Sequence, residues 1–129
     1  MQTTTPPRVF VVDDNHDAAD TLGMLLEMEG YDVRIAYDGD DAIRDADEFH
    51  PDVALLDIGL PGKDGYEIAR HIREDRHGDV MLIAVTGYAS EEDVQRARAA
   101  GFDYHFGKPA NLSAVLQTIR GRFGPQPRA

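Results

Sequence analysis

The chain has 129 residues and carries 24 acidic against 13 basic side chains, a net charge of −11. That balance argues against nucleic acid or an anionic membrane as a direct partner, because both attract basic patches. With no cysteine, disulfides and thiolate metal sites are excluded, and the even texture over this length predicts one domain with a core of its own.

The start, MQTTTPP (1–7), is polar and Pro-containing and reads as a flexible end without the basic-then-apolar order of a signal peptide. RVFVV (8–12) follows as the first strand, and Asp13 and Asp14 come directly after it. Two adjacent carboxylates repel, and burying them is costly unless something compensates. Either they sit in water as a turn and helix cap, or they face a cation. A helix is predicted from about 15 to 29, with Ala18, Leu22, Leu25 and Leu26 at helical spacing and Gly30 as its stop.

YDVRIA (31–36) reads as the second strand, and 39–49 as a helix with Ala42, Ile43, Ala46 and Phe49 on one face. DVALLD (52–57) is the third strand; a helix over about 64–74 carries Tyr66, Ile68, Ala69 and Ile72. VMLIAVT (80–86) is the fourth strand. The helix after it starts at Ser90, whose hydroxyl can cap it while Asp93 reaches back, and ends near Gly101. DYHFG (103–107) and a helix over about 111–122 complete the pattern, and GPQPRA (124–129) reads as a second flexible end. VMLIAV is far too short to span a bilayer, so a cytoplasmic protein is expected. His16, His50, His71 and His77 share no ligand spacing and read as surface or capping residues.

Strand and helix alternate five times. This predicts an α/β fold of the (βα)5 kind: a doubly wound parallel five-stranded sheet with helices on both faces. Ligands of such sheets bind at the carboxyl ends of the strands. The first strand ends in Asp13 and Asp14, the third in Asp57, the fourth in Thr86, and the fifth in Lys108 followed by Pro109. Brought to one edge, Asp13, Asp14 and Asp57 form a pocket that one lysine cannot neutralise. It calls for a hard divalent cation with oxygen ligands, such as Mg²⁺.

The acidic pair in VVDDN, the aspartate in ALLDIGLPGKDGYE, the AVTG segment and the ending GFDYHFGKP together resemble the receiver domain of two-component response regulators, over roughly residues 8–122. The resemblance implies a flavodoxin-like strand order 2-1-3-4-5. It implies a phosphoacceptor at Asp57, with the phosphoryl group coming from a sensor histidine kinase or a histidine phosphotransfer protein. Mg²⁺ would be held by Asp14 directly, by Asp13 through water, by Asp57 and by the Gly59 carbonyl. Lys108 and Thr86 would engage the phosphoryl group, and the Lys108–Pro109 bond would be cis. Thr86 and His105 would form the switch, signalling to an output partner through the face of the fourth helix, fifth strand and fifth helix. The domain would catalyse only its own phosphorylation and dephosphorylation, which is not enzymatic turnover.

Position 105 often holds Tyr or Phe in stand-alone members; here it is histidine, and GFDYHFGKP is more like receivers attached to hybrid histidine kinases or their single-domain relatives. Gly59 and Tyr88 occupy positions that influence phosphoryl lifetime in this family. Two other classes compete. A flavodoxin-type electron carrier needs a hydroxyl- and glycine-rich phosphate loop where this chain has DDNHD, and it would show flavin absorbance. A phosphatase with an aspartate nucleophile wants an acid two residues after it, where this chain has Gly59, and it would turn over phosphate esters.

Overall fold

The computed structural model describes residues 6–60, 64–76, 79–87 and 90–126. The elements are β1 (Arg8–Val12), α1 (His16–Met28), β2 (Asp32–Ala36), α2 (Gly39–Phe49), β3 (Val53–Asp57), α3 (Gly65–Arg76), β4 (Met81–Thr86), α4 (Glu91–Ala99), β5 (Tyr104–Gly107) and α5 (Leu112–Phe123). All strand pairs are parallel and the order is β2-β1-β3-β4-β5. The expected doubly wound sheet and the expected order are therefore both present. The order reverses between β1 and β3, and the loops after these two strands lie side by side.

The central strands are apolar on both faces because both faces are covered. Phe10, Val12, Ala54, Leu56, Leu82 and Ala84 join the core on the side of α2, α3 and α4. Val9, Val11, Val53, Leu55, Ile83 and Val85 join the core on the side of α1 and α5. Each fully buried aliphatic side chain contributes about 1.5–3 kcal/mol, so the three central strands are fixed in depth as well as in register. The polar residue that follows each apolar run is thereby held at the same edge.

Helix starts are capped by short polar side chains. Asn15, Asp38, Ser90 and Asn111 accept hydrogen bonds from the backbone N–H groups of Ala18, Asp41, Asp93 and Ala114. At α4 the expected reach-back takes another form: the Asp93 carboxylate accepts from the Ser90 hydroxyl at 2.7 Å. Gly30 stops α1 with φ of 98°. Pro7 departs from the flexible end expected over 1–7. It is buried, and its carbonyl accepts from Asp32 N–H at 3.1 Å, which extends the β1–β2 pairing by one step. Over 124–129, Gln126 likewise donates to the carbonyls of Phe123 and Gly124 at 3.1 and 3.2 Å. Residues 1–5 and 127–129 lie outside the described residues.

Gly65 decides how α3 meets β3. A Cβ there would lie 2.7 Å from the Asp57 carbonyl oxygen and 2.8 Å from Ile58 Cα. Both neighbours are backbone and cannot swing away, so only glycine lets the helix seat against the end of the strand that carries Asp57. Gly65→Ala is expected to destabilise the fold by about 1–3 kcal/mol through overpacking. Chemical denaturation would show it as a lower midpoint, and an unchanged midpoint would contradict this account.

Candidate functional site: a carboxylate pocket at the strand ends

Asp57 is the last residue of β3, and its side chain lies on the floor of the pocket with only 5% of the residue exposed. Its carboxylate is bound at both oxygens. Gly59 N–H donates to Oδ1 at 3.0 Å, and the Lys108 ammonium donates to Oδ2 at 2.8 Å. Lys108 also stands 3.6 Å from Asp13 Oδ2, so one cation bridges the ends of β1 and β3. Its place comes from β5, through its own N–H donating to the Thr86 carbonyl at 2.8 Å, and the Lys108–Pro109 peptide is cis.

Asp13 is half-buried and Asp14 is exposed. The Asp13 backbone N–H donates to the Ala36 carbonyl at 3.2 Å, and its Oδ1 accepts from Asn15 N–H at 3.0 Å. One carboxylate oxygen from each of Asp13, Asp14 and Asp57 lies within 4.8 Å of the others. Such crowding leaves an electrostatic mark. Burial, reinforced by the nearby Asp57 charge, holds the Asp13 carboxyl above its ordinary range despite the opposing pull of Asn15 and Lys108. Burial works against the Lys108 charge, but Asp57 and Asp13 outweigh it and raise the ammonium above its usual value.

The donor set fits a hard divalent cation. It is made of oxygens alone, it is over-supplied with negative charge, and Lys108 occupies only part of it. Asp14 brings an exposed carboxylate to the rim. Gly59 keeps one approach open, since a Cβ there would stand 3.9 Å from Asp57 Oδ1.

Thr86 ends β4 and is buried. It lies on the same sheet face as Ala84, and Ala84 pairs with His105 of β5. His105 is half-buried beside this small neighbour, and its Nε2 is buried without a hydrogen-bond partner. The other described histidines have contacts of their own. His16 stacks on the Tyr37 ring at 3.8 Å, His50 caps α2 with φ of 52°, and His71 Nε2 lies 2.9 Å from Asp47 Oδ1. His77 and Tyr88 lie outside the described residues.

Two features escaped the sequence reading. One is Gly65, whose signal was available as a glycine at a predicted helix start. The other is a groove of about 700 Å³ that begins at Asp13, Asp57 and Lys108 and runs between α1 and the start of α5, over Leu22, Leu25 and Leu112. Its walls come from segments far apart in sequence, so no local pattern announces it.

The raised Asp13 carboxyl has a sign that can be tested. A folded-state value above the unfolded one means that ionised Asp13 opposes folding, and stability is lost as pH rises from the unfolded value through the folded one. At neutral pH without metal, Asp13→Asn should therefore raise Tm, by on the order of 2 °C. The amide keeps an acceptor for Asn15 N–H. The gain in Tm on adding Mg²⁺ should shrink in the same variant, and a lower Tm without metal would refute the assignment.

Comparison with known proteins agrees with this geometry. The family model described as the response regulator receiver domain matches residues 9–120. A response regulator receiver domain protein (CheY-like) from Methanospirillum hungatei JF-1 has 33% identity and a TM-score of 0.85, with 92% of this chain and 94% of that one covered. Chemotaxis protein CheY4 of Vibrio cholerae has 26% identity and a TM-score of 0.84, covering 91% and 98%. A response regulator of Burkholderia pseudomallei, solved with a phosphorylated aspartic acid and a calcium ion, has 27% identity and a TM-score of 0.80, covering 91% and 72%. The chain belongs to the response regulator receiver domain family, the phosphoacceptor signalling domains of two-component systems.

Proposed function

We propose that Asp57 accepts a phosphoryl group from a phosphohistidine donor, and that Lys108, Thr86 and His105 convert this event into a change of surface. The observation that carries the reading is the Lys108 ammonium at 2.8 Å from Asp57 Oδ2, at the base of an open pocket of oxygen ligands. Support also comes from the Burkholderia pseudomallei relative, which holds a phosphorylated aspartic acid and a cation.

An Asp57 oxygen attacks the phosphorus in line; the O–P bond forms as the P–N bond to the donor imidazole breaks. The residues assigned to Mg²⁺ are Asp14, Asp57 and the Gly59 carbonyl, with Asp13 acting through water. The ion would offset charge on the phosphoryl oxygens. Lys108 exchanges its bond to the carboxylate for one to a phosphoryl oxygen and remains a point charge throughout. Thr86 turns its hydroxyl to the same group. Ala84 leaves room beside it, and His105 moves further over that small residue.

The donor must bring its phosphorus to the mouth of the pocket, where α1 begins, and it lies along that helix, whose later turns expose Met24 and Met28. Its chemistry is that of a sensor histidine kinase or a histidine phosphotransfer protein. The output partner reads the opposite edge, formed by α4, β5 and α5, where Tyr104 is exposed. The domain returns to its start by losing phosphate and does not act as an enzyme on other substrates. Among the described residues no helix is long and apolar enough to cross a membrane; a cytoplasmic location suits a domain charged by such donors.

Incubation with acetyl phosphate and Mg²⁺ should add one phosphoryl group per chain, and Asp57→Asn should abolish it. Intact mass decides, and undiminished labelling of the variant would overturn the assignment. His105→Phe should keep the labelling. It should also leave Tm equal or higher by about 1 °C, because it removes a buried nitrogen that has no partner.

A further inference from the structure

The sulfur chemistry of this chain resides wholly in methionine, because it has four methionines and no cysteine. Met1 lies outside the described residues, and Met81 is buried in β4 with 2% exposure. Met24 and Met28 are different: they are 54% and 58% exposed, the large apolar side chains that α1 leaves in water. Four residues apart, they are neighbours on one helix face. Leu25, next to Met24, lines the groove that opens at Asp57 and Lys108. The Met24–Met28 pair thus forms an apolar patch on the outer face of α1, a few turns along the helix from the end that meets the pocket. On the same helix it is flanked by the exposed acids Asp17, Asp20 and Glu27.

We propose that Met24 and Met28 are a reversible oxidation site that controls whether a protein donor can reach Asp57. The inference rests on the reading that the donor covers α1. A thioether sulfur attacks the outer oxygen of a hydroperoxide. The S–O bond forms, the O–O bond breaks, and the leaving oxygen departs as water or alcohol after taking a proton. Sulfur loses two electrons and the peroxide gains them. The product is a polar sulfoxide in place of a flexible apolar side chain. A dithiol reductant reverses the step, the oxygen leaving as water while the thiols become a disulfide. Two adjacent sulfoxides turn the surface that a donor helix must dehydrate into one that holds water. The pocket itself is untouched, so a small phosphodonor that enters from solvent is unaffected.

The test uses the full chain and hydrogen peroxide. Peptide mass spectrometry should show a gain of about 16 Da at Met24 and at Met28 while Met81 stays reduced. Labelling by acetyl phosphate and Mg²⁺ should be unchanged. Transfer from a purified phosphohistidine protein chosen because it charges the untreated chain should fall about tenfold, and methionine sulfoxide reductase should restore it. In a Met24→Leu, Met28→Leu double variant the ratio of transfer rates before and after peroxide should be close to one, whatever its starting rate. The proposal is overturned if oxidation of both residues leaves protein-to-protein transfer unchanged, or if the double variant is as sensitive as the parent. If acetyl phosphate fails to label Asp57 even before oxidation, the phosphoacceptor assignment fails instead.

Discussion

The structure depends on a buried carboxylate that is held but not neutralised. Asp57 sits at the end of a strand whose other four residues are buried and apolar, where an ion is costly. Two contacts make it tolerable, the Lys108 ammonium and the Gly59 N–H, and they use one oxygen each. The neighbouring Asp13 and Asp14 then tip the balance back to excess negative charge. A site in this condition is ready for a cation and for a phosphoryl group that a cation can shield. The same charges would make little sense as a device for stability, since a fully apolar floor would be cheaper.

The sheet turns that local chemistry into a geometry. Parallel strands set in register bring the ends of β1, β3, β4 and β5 to one edge, although the residues they carry lie far apart in the chain. Lys108 reaches Asp57 across 51 positions of sequence. Its backbone is tied to β4 at the Thr86 carbonyl, so Asp57, Thr86 and Lys108 are parts of one hydrogen-bonded unit. Arg73 holds the far end of the same strands. It donates to the carbonyls of Val80 and Gly101 and to Asp103, which in turn accepts from Leu82 N–H. One end of β4 is thereby anchored while the Thr86 end borders the pocket and the surface loops. That asymmetry suits a switch better than uniform rigidity would.

His105 lies on the same sheet face as Thr86, on the neighbouring strand, with Ala84 beside it. The imidazole is half-buried and its Nε2 has no partner, a small local cost. In the proposed switch, this position is what would carry a change at Thr86 to the surface of β5.

Much of this was legible in the sequence for a definite reason. Alternating apolar runs and helical stripes are local patterns, so the five strands, the five helices and the Ser90 cap follow from short windows. Parallel topology follows from the alternation, and with it the rule that polar residues after each strand converge. That is why Asp13, Asp14, Asp57, Thr86 and Lys108 could be named before any coordinates. What tertiary structure alone decided is everything that depends on distance between segments remote in sequence. The pairing of Lys108 with two carboxylates rather than one, the partnerless nitrogen of His105, the anchoring role of Arg73 and the groove between α1 and α5 belong here. So does Gly65, whose necessity comes from the backbone of Asp57 and Ile58 folding back against it. Sequence sets what each segment prefers, but close approach between segments is fixed only when the core closes and leaves each side chain one place to go.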